Sequence, residues 1–234
     1  MDIGIVGGTG DEGFGLALRL AQAGHNVVIG SRSEERGQQT AERAREILGG
    51  DTPVDGTSNE TCATGAELLF VTVPYAGQAD TYRALKDHIP EGRIVVDTTT
   101  PLATAVGGRP WQVLRPWHGS AAEQAEALLG KGRVRLVAGF HTVSAESLQD
   151  LDQPMEGDVM LCGAEGEAKA VVGGLVEGIP NLRWVDAGDL TVARIVEPLT
   201  ALMVSVNRTY RLKHTGVALT GRDRWGDPTR TTSA

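Results

Sequence analysis

Six residues near the start of the chain, Gly8-Thr9-Gly10-Asp11-Glu12-Gly13, fit the spacing GxGxxG, directly after the apolar run Gly4 to Val6 and before the apolar helical stretch Phe14 to Ala23. Each glycine has a separate physical task. Gly8 allows a tight turn, Gly10 lets a pyrophosphate approach the backbone, and Gly13 lets the helix pack closely on the strand. Backbone amides at the helix N-terminus then face the anion. The plain alternative is a glycine-rich turn that binds nothing, in a chain with 31 glycines. The strand before the motif and the helix after it favour the dinucleotide reading.

The second strand ends in Gly30-Ser31-Arg32-Ser33. An enzyme that uses NAD usually has an Asp or Glu here to accept hydrogen bonds from the ribose hydroxyls, and this chain has neither. Ser31 and Arg32, with Arg36 one helical turn further on, instead offer hydrogen bonds and positive charge suited to a 2'-phosphate, so the expected nucleotide is NADP(H). The competing reading makes Ser31 the start of a capping box with Glu34 and leaves both arginines solvated.

Short apolar runs that alternate with helix-period segments must position these groups. Strands are expected near Gly4 to Val6, Asn26 to Ile29, Glu67 to Val73 and Arg93 to Asp97, then at Val134 to Ala138, Asp158 to Cys162 and Arg183 to Val185. The pattern predicts an α/β fold, a Rossmann-like doubly wound, mostly parallel sheet. With no linker in sight, residues 1–220 read as a single extended NADP-binding domain, in which 1–100 form the core nucleotide-binding half and 101–220 extend the sheet. Helical spacing of apolar residues from Leu190 to Lys213 predicts one long C-terminal helix packed along the sheet, kinked or restarted at Pro198. Residues 221–234 read as a frayed polar tail with a turn at Gly226-Asp227-Pro228.

Composition narrows the partners. Asp plus Glu (30) outnumber Lys plus Arg (22), for a formal charge of -8. That balance argues against nucleic acid or an anionic membrane as partner. The longest near-apolar run, Leu68 to Pro74, is too short to span a bilayer. Cys62 and Cys162 show neither disulfide-framework nor zinc spacing, and no metal site is expected. The first strand begins too early to leave room for a signal peptide, so the expected location is cytoplasmic.

Taken together, the segments Gly7-Gly8-Thr9-Gly10, Gly30-Ser31-Arg32, Thr72-Val73-Pro74, Asp97 to Leu102, Gly119 to Glu123, Phe140 to Ala145, Val185 to Gly188 and Ala193 to Glu197 resemble the F420-dependent NADP reductases. The resemblance runs from Ile3 to about Gly221. It implies reversible hydride transfer between NADP(H) and coenzyme F420, an 8-hydroxy-5-deazaflavin, with both cofactors as substrates. Catalysis would be mainly positional, with no obligatory catalytic side chain. By the same resemblance, Thr9, Ser31, Arg32 and Arg36 hold the NADP phosphates, and Val73 and Pro74 shape the nicotinamide side. Pro101, Leu102, His141, Val143, Ala145 and the turn Gly216-Val217-Ala218 are the deazaflavin candidates. Pro74 and His141 are the positioning candidates, although His141 reads equally well as a structural residue. Glu197 is expected to anchor a helix, and Trp111 and Trp117 are possible cleft walls. Asp11 and Glu12 depart from the neutral or amide residues expected in the family's loop. Both carboxylates are expected to face solvent, away from the pyrophosphate.

Two other readings compete. One is an NADP-dependent reductase of another small acceptor, such as an imine, a flavin or a ferric chelate. The other is a non-catalytic NADP(H) redox sensor, which explains the first third of the chain but gives no role to the later motifs. A short-chain dehydrogenase would need Tyr-x-x-x-Lys, and Tyr210 and Lys213 are one residue too close. A homodimer is the expected assembly, with the long C-terminal helix as a possible interface.

Overall fold

Apolar residues that alternate in strands Asp2–Val6 (β1) and Leu68–Val71 (β4) divide between two cores. Ile3, Ile5, Leu68 and Phe70 enter one core, while Val6, Leu69 and Val71 enter the other. A strand buried on both faces requires helices above and below it. In the computed structural model, which describes residues 1–222 and Trp225, helices cover both faces. The remaining strands are Asn26–Ser31 (β2), Val54–Ser58 (β3), Ile94–Asp97 (β5), Arg135–Ala138 (β6), Gly157–Cys162 (β7) and Leu182–Gly188 (β8). They form one eight-stranded sheet in the order β3-β2-β1-β4-β5-β6-β7-β8. All neighbours pair in parallel except β6 with β7, which meet antiparallel at Ala138 and Cys162.

Helices Asp11–Gln22 (α1) and Glu34–Leu48 (α2) lie on the first face, and Asn59–Gly65 (α3), Tyr75–Leu85 (α4) and Ala121–Leu129 (α5) lie on the second. Connections from β1 run outward in one direction through β2 and β3. From β4 onward they run in the other, which makes β1 and β4 the topological switch point. A crevice opens there, at the C-terminal ends of the strands.

The remaining helices are Ala145–Gln149 (α6), Gly166–Glu177 (α7), Ala193–Val196 (α8) and Leu199–Tyr210 (α9). Arg19 of α1 is 2% exposed and donates to the carbonyls of Leu148, Ser147, Asp150 and Gln153. One guanidinium thus ties the α6 segment onto α1.

The structure corrects the sequence expectation in two places. β3 was not expected, because Val54 alone is apolar in it. Pairing with β2 and the close backbone approach of Gly37 to Gly56 hold it at the sheet edge. The Leu190–Tyr210 segment is helical in pieces, and Pro198 is the N-cap of α9. Its first part packs on the sheet as expected, with Leu190, Ala193 and Val196 in the second core, whereas in α9 Ala201 is the one buried residue. By length and composition alone this segment is apolar enough to cross a membrane. The expected turn at Gly226-Asp227-Pro228 lies outside the described residues.

Candidate functional site

The glycine loop is built as its spacing requires. Gly7 has φ 74°, a left-handed conformation that glycine adopts without strain, and its carbonyl accepts from the amide of Gly10 at 3.0 Å. A Cβ on Gly8 would meet the carbonyl of Ile5 at 2.8 Å, and one on Gly13 would meet Gly8 Cα at 2.7 Å. Gly8 and Gly13 therefore set the packing of α1 on β1, while Gly10 lines the crevice. No side chain caps α1, and its first backbone hydrogen bond is Phe14 N to Gly10 O at 2.8 Å. The amides of Asp11, Glu12 and Gly13 are left for an anion.

A cavity of about 420 Å³ runs from this loop to the end of β2. Thr9, Gly10, Ser31, Arg32, Arg36, Val73 and Pro74 line it together. Ser33, rather than Ser31, is the N-cap of α2, so the capping-box alternative does not form; Ser31 lines the cavity, and its hydroxyl accepts from Ser33 N at 3.4 Å. Arg32 and Arg36 are exposed, and among the described residues neither guanidinium has an ion pair. Asn59 and Thr72 also line the cavity and were missed by sequence reasoning. Asn59 accepts from Gly7 N at 3.3 Å, and Thr72 donates to Val6 O at 3.0 Å. Thr72 stands in a segment of the resemblance but had no role assigned, and nothing in the local sequence marks Asn59, because the fold brings both to the loop from other elements.

A second cavity, of about 400 Å³, continues across β4 and β5 and shares Gly10, Thr72, Val73 and Pro74 with the first. Leu102, His141, Val143 and Ala145 line it. Phe140 turns the chain at the end of β6 with φ 68°, a conformation that strains a bulky residue. Its ring is buried edge-on against Phe70, with centroids 5.5 Å apart, and this packing holds the strained turn. His141 follows it. The imidazole is 5% exposed, and both ring nitrogens lack a partner. Burial lowers its pKa to about 3, so the ring is neutral at physiological pH. The backbone is fixed separately, as Thr200 donates to His141 O at 2.6 Å. His141 thus lines the cavity as a neutral ring whose two nitrogens are closed to solvent and unpartnered among the described residues.

Four expected site residues fall elsewhere. Pro101 is buried and does not line the cavity. Gly216 and Val217 line a separate hollow of about 210 Å³ beside β7, and the Val217 carbonyl accepts from Asp158 N at 2.7 Å. Ala218 next to them is exposed. Neither Trp111 nor Trp117 walls the cleft. Trp111 lies beneath the Arg208 guanidinium at 4.2 Å, and Trp117 is 97% exposed.

Glu12 corrects the sequence expectation. Asp11 is exposed as expected, but Glu12 is half-buried; both line the second cavity, and the Glu12 carboxyl lies near Thr98 and Asp97. Burial pushes its pKa up to about 8; the polar Thr98 side chain opposes the rise and Asp97 adds to it.

Other segments of the resemblance turn out to be architectural. Asp97 is fully buried and accepts from Tyr82 Oη at 2.6 Å, Gln78 Nε2 at 2.9 Å and Thr99 N at 2.9 Å. It fixes the Thr98 to Thr100 wall of the cavity. Glu197 accepts from the amides of Ala121 at 2.8 Å and Ala122 at 3.0 Å, so it anchors α5 as expected. Burial pushes its pKa up to about 8. Ser120 caps α5, and Arg194 pairs with Glu123 at 2.6 Å.

Residues 2–101 match the family model described as NADP oxidoreductase coenzyme F420-dependent. The chain is 40% identical to the F420-dependent NADP reductase of Methanocaldococcus jannaschii, over 94% of this chain and 98% of that protein. It is 35% identical to the F420-dependent NADP reductase of Methanothermobacter thermautotrophicus, over 94% of this chain and 95% of that one. Among solved structures, one described as an F420-dependent NADP-reductase from Arthrobacter sp. FB24 superposes with a TM-score of 0.78 at 24% identity, covering 94% of this chain and 99% of that one. Likeness at that identity speaks to the fold, and the two archaeal relatives speak to the family. On that footing, the chain belongs to the F420-dependent NADP reductase family.

Proposed function

We propose that this protein transfers a hydride reversibly between NADP(H) and coenzyme F420. The observation that carries the reading is the pair of joined cavities, one ending at free arginines and the other at the unpartnered imidazole of His141. The two cofactors, when bound, supply the hydride donor and acceptor. The protein supplies position. Amides at the start of α1 hold the pyrophosphate, and Ser31, Arg32 and Arg36 hold the 2'-phosphate. Val73 and Pro74 form the wall common to both cavities, and His141, Leu102, Val143 and Ala145 bound the deazaflavin side. No residue needs to act as a base or a nucleophile.

Visible absorbance tests this directly. NADPH plus the protein is expected to bleach oxidised F420, with FMN and FAD left unreduced as controls. Tight NADPH binding without bleaching would turn the reading toward a redox sensor, and reduction of the flavins instead of F420 toward another small acceptor.

Residues 1–220 are taken as one NADP-binding unit, since β1 to β8 share a sheet. Two single buried thiols suit a cytoplasmic enzyme. The assembly proposed is a homodimer through α8 and α9, where Ile195 is 70% and Leu202 51% exposed on a helical segment that the described residues leave uncovered. Leu202→Glu is expected to convert a dimer to a monomer in light scattering, and a monomeric wild type would refute the assembly.

A further inference from the structure

Glu12 has no part in the mechanism above, yet it lines the cavity that the nucleotide must enter. Its position identifies which half of the nucleotide it meets. The arginines at the end of β2 mark the adenosine phosphate end, and the glycine loop marks the pyrophosphate. The nicotinamide half must therefore extend the other way, across β4 and β5. Glu12 lies on that side, sharing the cavity wall with Thr98 just beyond β5 and with Pro74 and Tyr75.

The nicotinamide ring carries a positive charge in NADP+ and none in NADPH. We propose that Glu12 faces this ring and, by holding or releasing its proton, sets the relative affinity of the site for NADP+ and NADPH. The inference rests on the NADP reading above and concerns one side chain within it. An ionised Glu12 attracts the oxidised ring, whereas a protonated Glu12 is indifferent to the ring's charge. Repulsion between an ionised Glu12 and the pyrophosphate is common to both nucleotides. It cancels in the ratio of affinities, as does titration of the 2'-phosphate at about pH 6.

The surroundings suit such a role. Facing groups are few among the described residues: Asp97 behind Thr98, His141 and Tyr75 on the cavity wall, and Asp11 on the same helix. His141 is neutral throughout the relevant pH range, and burial holds the Tyr75 phenol above its ordinary value. No Lys or Arg is among the described residues that line this cavity. Glu12 thus lacks a cation in the free protein, and its proton is still partly bound near neutral pH because burial pushes its pKa up to about 8. A nearby positive ring favours release of that proton. Affinity for NADP+ relative to NADPH therefore rises as pH rises through this range.

Dissociation constants decide the matter, taken from nucleotide fluorescence for NADPH and from calorimetry for NADP+. In the wild type, the ratio Kd(NADP+)/Kd(NADPH) is expected to fall about tenfold between about pH 6.5 and about pH 9.5, which corresponds to a one-unit drop in the pKa of Glu12 when the cation binds. Glu12→Gln and Glu12→Leu are each expected to flatten the ratio, while Asp11→Asn keeps the wild-type slope. A flat wild-type ratio, or an unchanged slope in Glu12→Gln, would overturn the proposal. Failure of the wild type to prefer NADP(H) over NAD(H) would instead overturn the underlying reading of the site, and this inference with it.

Discussion

Arg32→Glu is expected to raise the Kd for NADPH by about two orders of magnitude while changing that for NADH by about threefold or less, a loss built from charge-assisted bonds of about 1.5–3 kcal/mol and added repulsion. Arg32 has no competing partner among the described residues, so its guanidinium is free to pair with a phosphate. Ser31, 4% exposed beneath it, supplies a hydroxyl at a fixed place, because its residue closes β2 in register with Ser58 of β3. Arg36, one turn into α2, provides a second cation on the same cavity wall. The variant keeps that cation, so residual binding of NADPH is expected. Substituting Arg32 leaves β2 and α2 packed as before, since the side chain is exposed. The measurement is a pair of nucleotide titrations on one protein preparation. Equal losses for NADPH and NADH would show that Arg32 supports the loop in general and does not read the 2'-phosphate.

The parts of this site that could be read in the sequence are those in which spacing encodes backbone geometry. Gly8, Gly10 and Gly13 are visible because a tight turn, an anion and a close helix each exclude a Cβ at a fixed interval. Ser31 and Arg32 are visible because they stand where a carboxylate would stand in an NAD enzyme. The roles of Asn59 and Thr72 are not visible, since their places at the loop are set by tertiary packing and not by neighbours in the chain. β3 escapes for a related reason: an edge strand with Gly56 against α2 has little apolar periodicity to show. Glu12 was expected to follow Asp11 into solvent, but consecutive helical residues point about 100° apart, and that rotation leaves Asp11 exposed at the cavity rim and takes Glu12 to a half-buried place on its wall. The second cofactor was legible only through family resemblance. Joined cavities and an unsatisfied imidazole call for a second ring, and do not by themselves specify a deazaflavin.

The largest effect on stability is expected at Arg19, far from either cofactor. Its guanidinium donates to four backbone carbonyls in the segment from Ser147 to Gln153, at 2.9 Å for Ser147, 3.0 Å for Leu148, 2.5 Å for Asp150 and 3.1 Å for Gln153. The Asp150 carboxylate adds attraction. α6 is a single short helix of five residues, and Gly15 of α1 lets Leu148 approach closely. Leu148 is also buried in the core, and Gln149 donates to Asp11 O at 2.9 Å, so the segment keeps other holds when the guanidinium is lost. Arg19→Met keeps the aliphatic volume but strips the carbonyls of their donor, with an expected loss of about 3–5 kcal/mol. For a chain of this size that corresponds to a Tm lower by roughly 6–20 °C. Arg19→Lys is expected to fall between, because one ammonium has three donors for four acceptors. The loss should also reach the site, since α6 begins at Ala145 on the wall of the second cavity. Affinity for F420 is therefore expected to fall in Arg19→Met while affinity for NADPH holds, as α1 and the glycine loop keep their packing on β1. Urea denaturation with an unchanged slope measures the stability term. A loss under about 1 kcal/mol would mean that water satisfies those carbonyls and that the segment is held by its apolar contacts alone.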